Sequence, residues 1–376
     1  MGVPMKTMTL FITGSTGFVG GAVAADLALR GLLAQSLFLV RAKDADAGVL
    51  RLRDNLVRFG VAPALADTVT PAQVLCGDMT EVAHFAQDAR LEAITHVIHC
   101  AALATFSTNP KIWANNVDGT LALAQAVHTR AKKLHRWLQI GTAMCCGPGL
   151  TPPVRESWDT GLNDESHLVP YTRSKLAVEH ALKAIPGFPL IVARASIVVG
   201  HSTLGCAPSP SIFWVFRMAF ALERFTCAPE EGIDIIPADW CGHAVVSLAL
   251  KPTLAHDLYH VSAGVASSNR FSDIDVAYAK ASGKEPIAAR YQQVAVDDLR
   301  NLVPLFQERL GKVNRLLILR ALMLYGAFAE LNYVFDNARL LAEGIAPSPP
   351  LTDYLAHCMR TSEGIPMTEQ MAHDFK

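Results

Sequence analysis

The run Met8-Thr9-Leu10-Phe11-Ile12 leads into Thr13-Gly14-Ser15-Thr16-Gly17-Phe18-Val19-Gly20, and this stretch limits the fold more than any other. The apolar run reads as a buried strand and residues 22–30 read as a helix. The glycines at 14, 17 and 20 therefore fall in a strand-to-helix turn. Gly14 allows the tight turn, Gly17 lets a pyrophosphate approach the backbone, and Gly20 lets the helix pack close to the strand. The helix N-terminus then offers free N–H groups and a positive dipole end to phosphates. Thr13, Thr16, Phe18 and Val19 complete the expected cradle. The spacing is G-x-x-G-x-x-G, not the commoner G-x-G-x-x-G. The strand before it and the helix after it supply the weight that glycines alone lack.

The alternation continues. Residues 36–40, 74–76, 96–100, 137–140 and 190–194 read as further strands, and 44–59, 115–129 and 171–184 as helices. A βαβα rhythm from 8 to 200 predicts an α/β fold: a doubly wound parallel sheet, Rossmann-like, with a smaller, mostly helical C-terminal part. Residues 1–200 are expected to form the dinucleotide-binding domain, with a returning strand near 233–261. Residues 201–376 are expected to form the substrate-binding region.

Ligands of such sheets bind at the C-terminal strand ends. Arg41 follows the second strand, where an acidic residue would select NAD and an arginine accommodates the 2′-phosphate of NADP. Lys43 adds positive potential; the bland alternative makes Arg41 a solvated loop residue. Gly77-Asp78, with Met79 next, places a short acceptor near an adenine amino group. Ala101-Ala102 leaves room for a flat ligand. His96 and His99 read as structural.

Tyr171 and Lys175 are four apart on a predicted helix and share a face. A lysine ammonium beside a tyrosine favours the phenolate, so the tyrosine pKa is expected to fall toward the working range. The lysine can also hold the nicotinamide ribose. Thr142, at the end of the fifth strand, can hold a carbonyl oxygen beside the tyrosine. Tyr-x-x-x-Lys alone means little; its order after the Gly-rich turn and Thr142 gives it meaning.

With 51% hydrophobic and 18% charged residues and a formal net charge of −1, the chain reads as globular with no basic run, which argues against nucleic acid. The eight cysteines show no zinc spacing, so no metal site is expected and reduced thiols fit a cytoplasmic location. No signal-peptide pattern stands at the N-terminus. Two stretches, 211–225 and 316–328, are densely apolar. Arg320 interrupts the second, which argues against a membrane span, although weak contact with a membrane surface stays open. Phe213, Phe216 and Phe220 of the first are candidate substrate contacts, with the second as either a buried helix or a channel wall.

These motifs together resemble the extended short-chain dehydrogenase/reductase superfamily over residues 8–265. Within it the chain is most similar to the branch holding fatty acyl-CoA reductases and the thioester reductase domains of peptide and polyketide synthases. The residues that carry the likeness are Leu39-Val40-Arg41-Ala42-Lys43, Gly77-Asp78, His99-Cys100-Ala101-Ala102 with Phe106, Asn116-Val117-Asp118-Gly119-Thr120, Gly141-Thr142-Ala143, Tyr171-Thr172-Arg173-Ser174-Lys175 and Arg194-Ala195-Ser196-Ile197-Val198-Val199-Gly200. Ala195 stands where the family usually has proline. The resemblance implies NADPH as hydride donor, Thr142, Tyr171 and Lys175 as the catalytic set, Asn116, Ser196 and Ile197 as further cofactor contacts, and Ala143 near the substrate. It implies reduction of an acyl thioester, carried on coenzyme A or an acyl carrier protein, to aldehyde or alcohol. A ketone, β-ketoacyl, sterol or aldehyde reductase and a non-catalytic NADP-binding module are the alternatives. Oligomeric state is not legible.

Overall fold

The computed structural model describes residues 8–106, 108–160 and 166–371. Its centre is a seven-stranded sheet built from β1 (Leu10–Thr13), β2 (Ser36–Val40), β3 (Val74–Cys76), β4 (His96–His99), β5 (Arg136–Thr142), β6 (Leu190–Ala195) and β7 (Leu258–Val261). The spatial order is β7-β6-β5-β4-β1-β2-β3 and every pairing is parallel. The chain thus winds outward from β1 in one direction and from β4 in the other, and the crevice between them lies at the topological switch point. β1 and β2 are buried along their whole length, as strands covered on both faces must be.

Flanking helices are α1 (Phe18–Leu29), α2 (Ala45–Arg58), α3 (Thr120–Arg130) and α4 (Pro170–Lys183). α1 starts four residues before the sequence reading because Gly17 already serves as its extended N-cap. α2 is capped by Asp44, whose carboxylate accepts from the Ala47 amide at 2.8 Å. The helix expected over 115–129 starts earlier, at Lys111, and passes through a π-turn at 114–119 before α3. Such turns cluster at functional sites.

Beyond residue 200, α5 (Phe213–Leu222) is followed by α6 (Ala238–Leu250), which returns to the sheet face. α6 crosses α1 through small residues: a Cβ on Gly242 would stand 2.7 Å from the Ala22 carbonyl carbon. Within the 233–261 stretch, where a returning strand is expected, β7 joins the sheet edge beside β6. Ile235–Ile236 instead pairs with Ile197–Val198 in a separate two-stranded ladder. Three further long helices, α7 (Phe271–Ser282), α8 (Arg315–Ala329) and α9 (Leu351–Ser362), enclose a second apolar core with α5. Among the described residues, no helix is long and apolar enough to cross a membrane.

Candidate active site

The parallel sheet delivers the motif residues to one edge. Gly14 follows β1, Arg41 follows β2, Gly77 follows β3, Cys100 follows β4, Thr142 ends β5 and Ser196 follows β6. Register ties them together: Thr13 lies opposite His99, and Thr142 opposite Ala195.

Between β1 and β4 the edge is pinned by a hydrogen-bond chain. The Ala101 amide donates to Thr13 Oγ1 (3.1 Å), which meets His99 Nδ1 (2.9 Å), and His99 Nε2 meets Thr120 Oγ1 (3.1 Å). Burial holds His99 down to a pKa of about 3, with the Lys175 charge acting in the same direction. The ring is therefore neutral, with one of its nitrogens donating and the other accepting between Thr13 and Thr120. The Thr13 hydroxyl and both His99 ring nitrogens are engaged in this chain.

The Gly-rich turn fits a dinucleotide pyrophosphate. Gly14 sits at φ +73°, and a Cβ there would lie 2.7 Å from the Ala101 nitrogen. A Cβ on Gly20 would lie 2.1 Å from the Gly14 carbonyl oxygen. Gly17 is exposed, and its nearest obstruction to a Cβ is at 3.2 Å. α1 has neither a side-chain cap nor an acidic residue in its first turn, which leaves its first-turn amides available to an anion. Asn55, which the sequence reading passed over, braces the turn by donating to the carbonyls of Ser15 (2.9 Å) and Gly17 (3.3 Å). Its mark in the sequence is a buried polar position on the inward face of an amphipathic helix.

Arg41 is 71% exposed at the β2 end, with one guanidinium nitrogen 3.8 Å from Asp78. Arg51 donates to the Arg41 carbonyl, and Lys43 stands 3.8 Å from Asp44. Asp78 accepts from the Thr80 amide and hydroxyl at 2.9 and 2.8 Å. The Thr80 amide, more than Arg41, holds its carboxyl below the usual range. Met79 is buried beneath it, its carbonyl oxygen against Gly119. Asn116 is committed elsewhere: it accepts from the Leu103 amide (2.7 Å) and donates to Ser174 Oγ (3.0 Å), fixing the 101–106 loop against α4.

Tyr171, Thr142, Ser196, Ile197, Phe18 and Val19 all line one cleft of about 370 Å³. Thr142 Oγ1 accepts from the Met144 amide at 3.3 Å, leaving its proton to donate. Lys175 lies one turn below Tyr171, almost fully buried. The expected lowering of the Tyr171 pKa does not hold. Burial pushes it up to about 12, and the nearby Cys145 and Glu179 act the same way. Lys175 is itself lowered by burial, against the Glu179 charge. Desolvation governs the shift, so the Tyr171 hydroxyl keeps its proton through the neutral range.

Beside this cleft lies an inner cavity of about 80 Å³ with mostly apolar walls. The two share Met144, Ile197, Ile212, Tyr325 and Phe328. Ile212, Val215, Phe216 and Ala219 form one stripe at helical spacing, and Tyr325, Phe328, Ala329 and Asn332 another. The 316–328 segment is thus both things the sequence allowed, a core helix through Ile318, Ala321 and Leu322 and a cavity wall through Tyr325 and Phe328. Of the four substrate candidates, Phe216 reaches the cavity. Phe213 and Phe220 sit on the adjoining helical stripe and pack into the core, Phe220 stacking on Tyr278 at 4.0 Å. Ala143 is buried in a small cluster with Tyr333 and Phe335, and Met144 lines the cleft in its place. Phe106, missed as a wall residue, stacks on Phe328 at 5.1 Å and faces Tyr171 at 5.9 Å.

The family model described as male sterility protein, an NAD-binding domain, matches residues 12–245. The chain belongs to this family. It places the protein in the extended short-chain dehydrogenase/reductase superfamily, in the branch that the motifs indicated. Among curated relatives, the non-canonical nonribosomal peptide synthetase FrzA of a Cladobotryum species is 27% identical over 74% of this chain and 28% of its own length. The aldehyde reductase lnaA of Aspergillus flavus is 26% identical over 67% of this chain and 25% of its own. The chain therefore spans only about a quarter of the length of these family relatives. The terminal R domain of the myxalamid PKS-NRPS pathway superposes with a TM-score of 0.75 at 22% identity, covering 94% of this chain and 90% of that one. The fold of the family member described here is thus that of a terminal reductase domain.

Proposed function

We propose that this protein is an NADPH-dependent reductase of acyl thioesters, carried on coenzyme A or an acyl carrier protein. The observation that carries the reading is the cleft: Tyr171 and Thr142 stand at its polar end, and an apolar cavity continues from its other wall. The Gly-rich turn would hold the pyrophosphate, Arg41 the 2′-phosphate and Lys175 the nicotinamide ribose. Held there, a nicotinamide would supply the hydride that the thioester carbon accepts. Thr142 and Tyr171 donate hydrogen bonds to the oxyanion as it develops, and Tyr171 protonates it. Loss of the thiol then leaves the aldehyde. A second round on the aldehyde would give the alcohol. Phe106 and Phe328, which line the cleft beside Tyr171, would keep water from the reacting carbon. FrzA is named a nonribosomal peptide synthetase and the myxalamid R domain comes from a PKS-NRPS pathway, which supports a carrier-bound substrate.

Two outcomes check this reading. Arg41→Ala is expected to weaken NADPH binding by about 1–2 kcal/mol, the lower range for a charge-assisted contact because the guanidinium is solvated. NADH binding should hardly move. Equal fluorescence titrations of the two cofactors with the unmutated protein would remove the NADPH assignment.

The second outcome concerns the chain. A buried methylene contributes about 0.8 kcal/mol, so KM should fall by up to about fourfold per carbon until the inner cavity is full. Ala219→Leu, which narrows that cavity, should raise KM for the longest thioesters and spare the shortest. Turnover confined to ketones across the same panel would transfer the protein to ketone reduction.

A further inference from the structure

Tyr171, Lys175 and Glu179 recur at intervals of four on α4 and so form one stripe. Glu179 is fully buried. Its Oε2 is gripped by Arg194 of β6, with Nε at 2.9 Å and a second guanidinium nitrogen at 2.8 Å. Arg194 also donates to the Ser157 carbonyl at 2.8 Å. The other carboxylate oxygen, Oε1, is buried and has no hydrogen-bond partner. It lies against Gly141: a Cβ there would stand 2.2 Å from it. Gly141 pairs in register with Arg194 and directly precedes Thr142. The ion pair therefore touches the backbone carrying Thr142 and lies one helical turn beneath Lys175.

A buried ion pair is weak evidence for stability, because desolvation offsets most of the attraction. Here the anion is off-centre. Arg194 occupies one oxygen, and the unpartnered one lies against Gly141, the residue before Thr142. The remaining titratable groups around Lys175 are Tyr171 on its own helix, His99 and Cys100 at the end of β4, and Cys145 in the turn after β5. His99 is neutral, and burial pushes the Cys100 and Cys145 thiols up, so they too are neutral. Glu179 is the anion that this set provides.

We infer that Glu179, clamped by Arg194, is a positioning residue that keeps Lys175 charged in its buried place without contacting it, leaving the ammonium free for the cofactor and Tyr171. Gly141 is the required counterpart, since any side chain there would displace the carboxylate. The inference uses the proposed function only in giving Lys175 a working role, and its test needs no turnover.

The test is the titration of the Lys175 amine in the cofactor-free protein, read from its 13Cε shift and assigned by its loss in Lys175→Arg. Glu179→Gln removes the anion and leaves Arg194 charged, so the Lys175 pKa should fall by about one unit or more, a tenfold change in proton dissociation. Arg194→Gln frees the anion, so the pKa should rise. Glu179→Asp keeps the charge and should titrate close to the unmutated protein. Opposite signs for the two glutamine variants establish an electrostatic role. Shifts of the same sign, as general loosening of the helix would give, overturn it, and so does a Glu179→Gln titration identical to the unmutated one. If Glu179→Gln does not fold, Arg194→Gln and Glu179→Asp still decide: a rise in the first with no change in the second supports the role, and any other pattern overturns it. Failure of all thioesters as substrates, with the opposite shifts intact, would strike the proposed reaction and leave this inference standing.

Discussion

Tyr171→Phe is expected to lower reductive turnover by about 10²–10⁴, the usual contribution of a positioned general acid, while NADPH still binds. The change removes one oxygen and keeps the ring that packs on Phe106 at 5.9 Å, so the cleft should retain its shape. The raised pKa adds a second, independent expectation. Burial holds the Tyr171 hydroxyl up at about 12. The protonated form, the one needed to protonate an oxyanion, therefore persists through the neutral and mildly alkaline range. A group with a raised pKa loses its proton later as pH climbs, so ionisation of Tyr171 should produce no descending limb in kcat/KM between pH 7 and about pH 10. Thr142→Ala, which removes one oxyanion donor, should cost about 10²–10³ in kcat. The check is single-turnover kinetics on one verified thioester, with cofactor affinity measured separately. A Tyr171→Phe variant that retained most of its rate would show that the proton comes from another donor.

The second large effect is expected at the Gly-rich turn, where two glycines three residues apart should fail in different ways. Replacing glycine by alanine inside a helix ordinarily stabilises by up to about 1 kcal/mol. Gly20 lies inside α1, yet its added Cβ would meet the Gly14 carbonyl oxygen at 2.1 Å and carbonyl carbon at 2.5 Å. Both are backbone atoms and cannot rotate away, so helix and turn must separate. Gly20→Ala should therefore destabilise the fold, by about 1–3 kcal/mol as for overpacking elsewhere, and abolish cofactor binding. Gly17→Ala meets nothing nearer than 3.2 Å and needs no positive φ. It should leave the denaturation midpoint near that of the unmutated protein and still weaken NADPH binding by tenfold or more, because the methyl projects where the pyrophosphate must lie. Urea denaturation and cofactor titration, run on both variants, read the two effects separately. A Gly20→Ala protein more stable than its parent would mean that helix and turn are not in the close contact described.

Local chemistry explains how much of this was visible beforehand. The turn at 13–20, the strand ends at Arg41, Asp78, Ala101 and Thr142, and the Tyr171–Lys175 stripe all depend on spacing within a single element or at its boundary. Periodicity reports that spacing directly, and a parallel sheet always brings its C-terminal strand ends to one edge. The family likeness of the sequence then orders those pieces. The sequence left undecided which apolar residues meet the cleft. Phe213, Phe216 and Phe220 are equally aromatic in sequence, and the rotation of α5 against α8 presents Phe216 while turning the other two into the core. The return of Ile235–Ile236 to Ile197–Val198 and not to the main sheet was likewise a matter of packing. So was the sign of the Tyr171 shift. Four-residue spacing predicts attraction to Lys175, but desolvation is set by every segment that covers the site, and here it prevails. The clamp between Glu179 and Arg194 joins a helix to a strand, and against Gly141 it joins both to a second strand. Contacts of that kind carry no period in the chain, because they exist only once separate elements have packed. The sequence by itself determined the succession of strands and helices along the chain, the parallel Rossmann-like class and the family; tertiary packing decided the cavity and the charge states, since both depend on which distant surfaces exclude water.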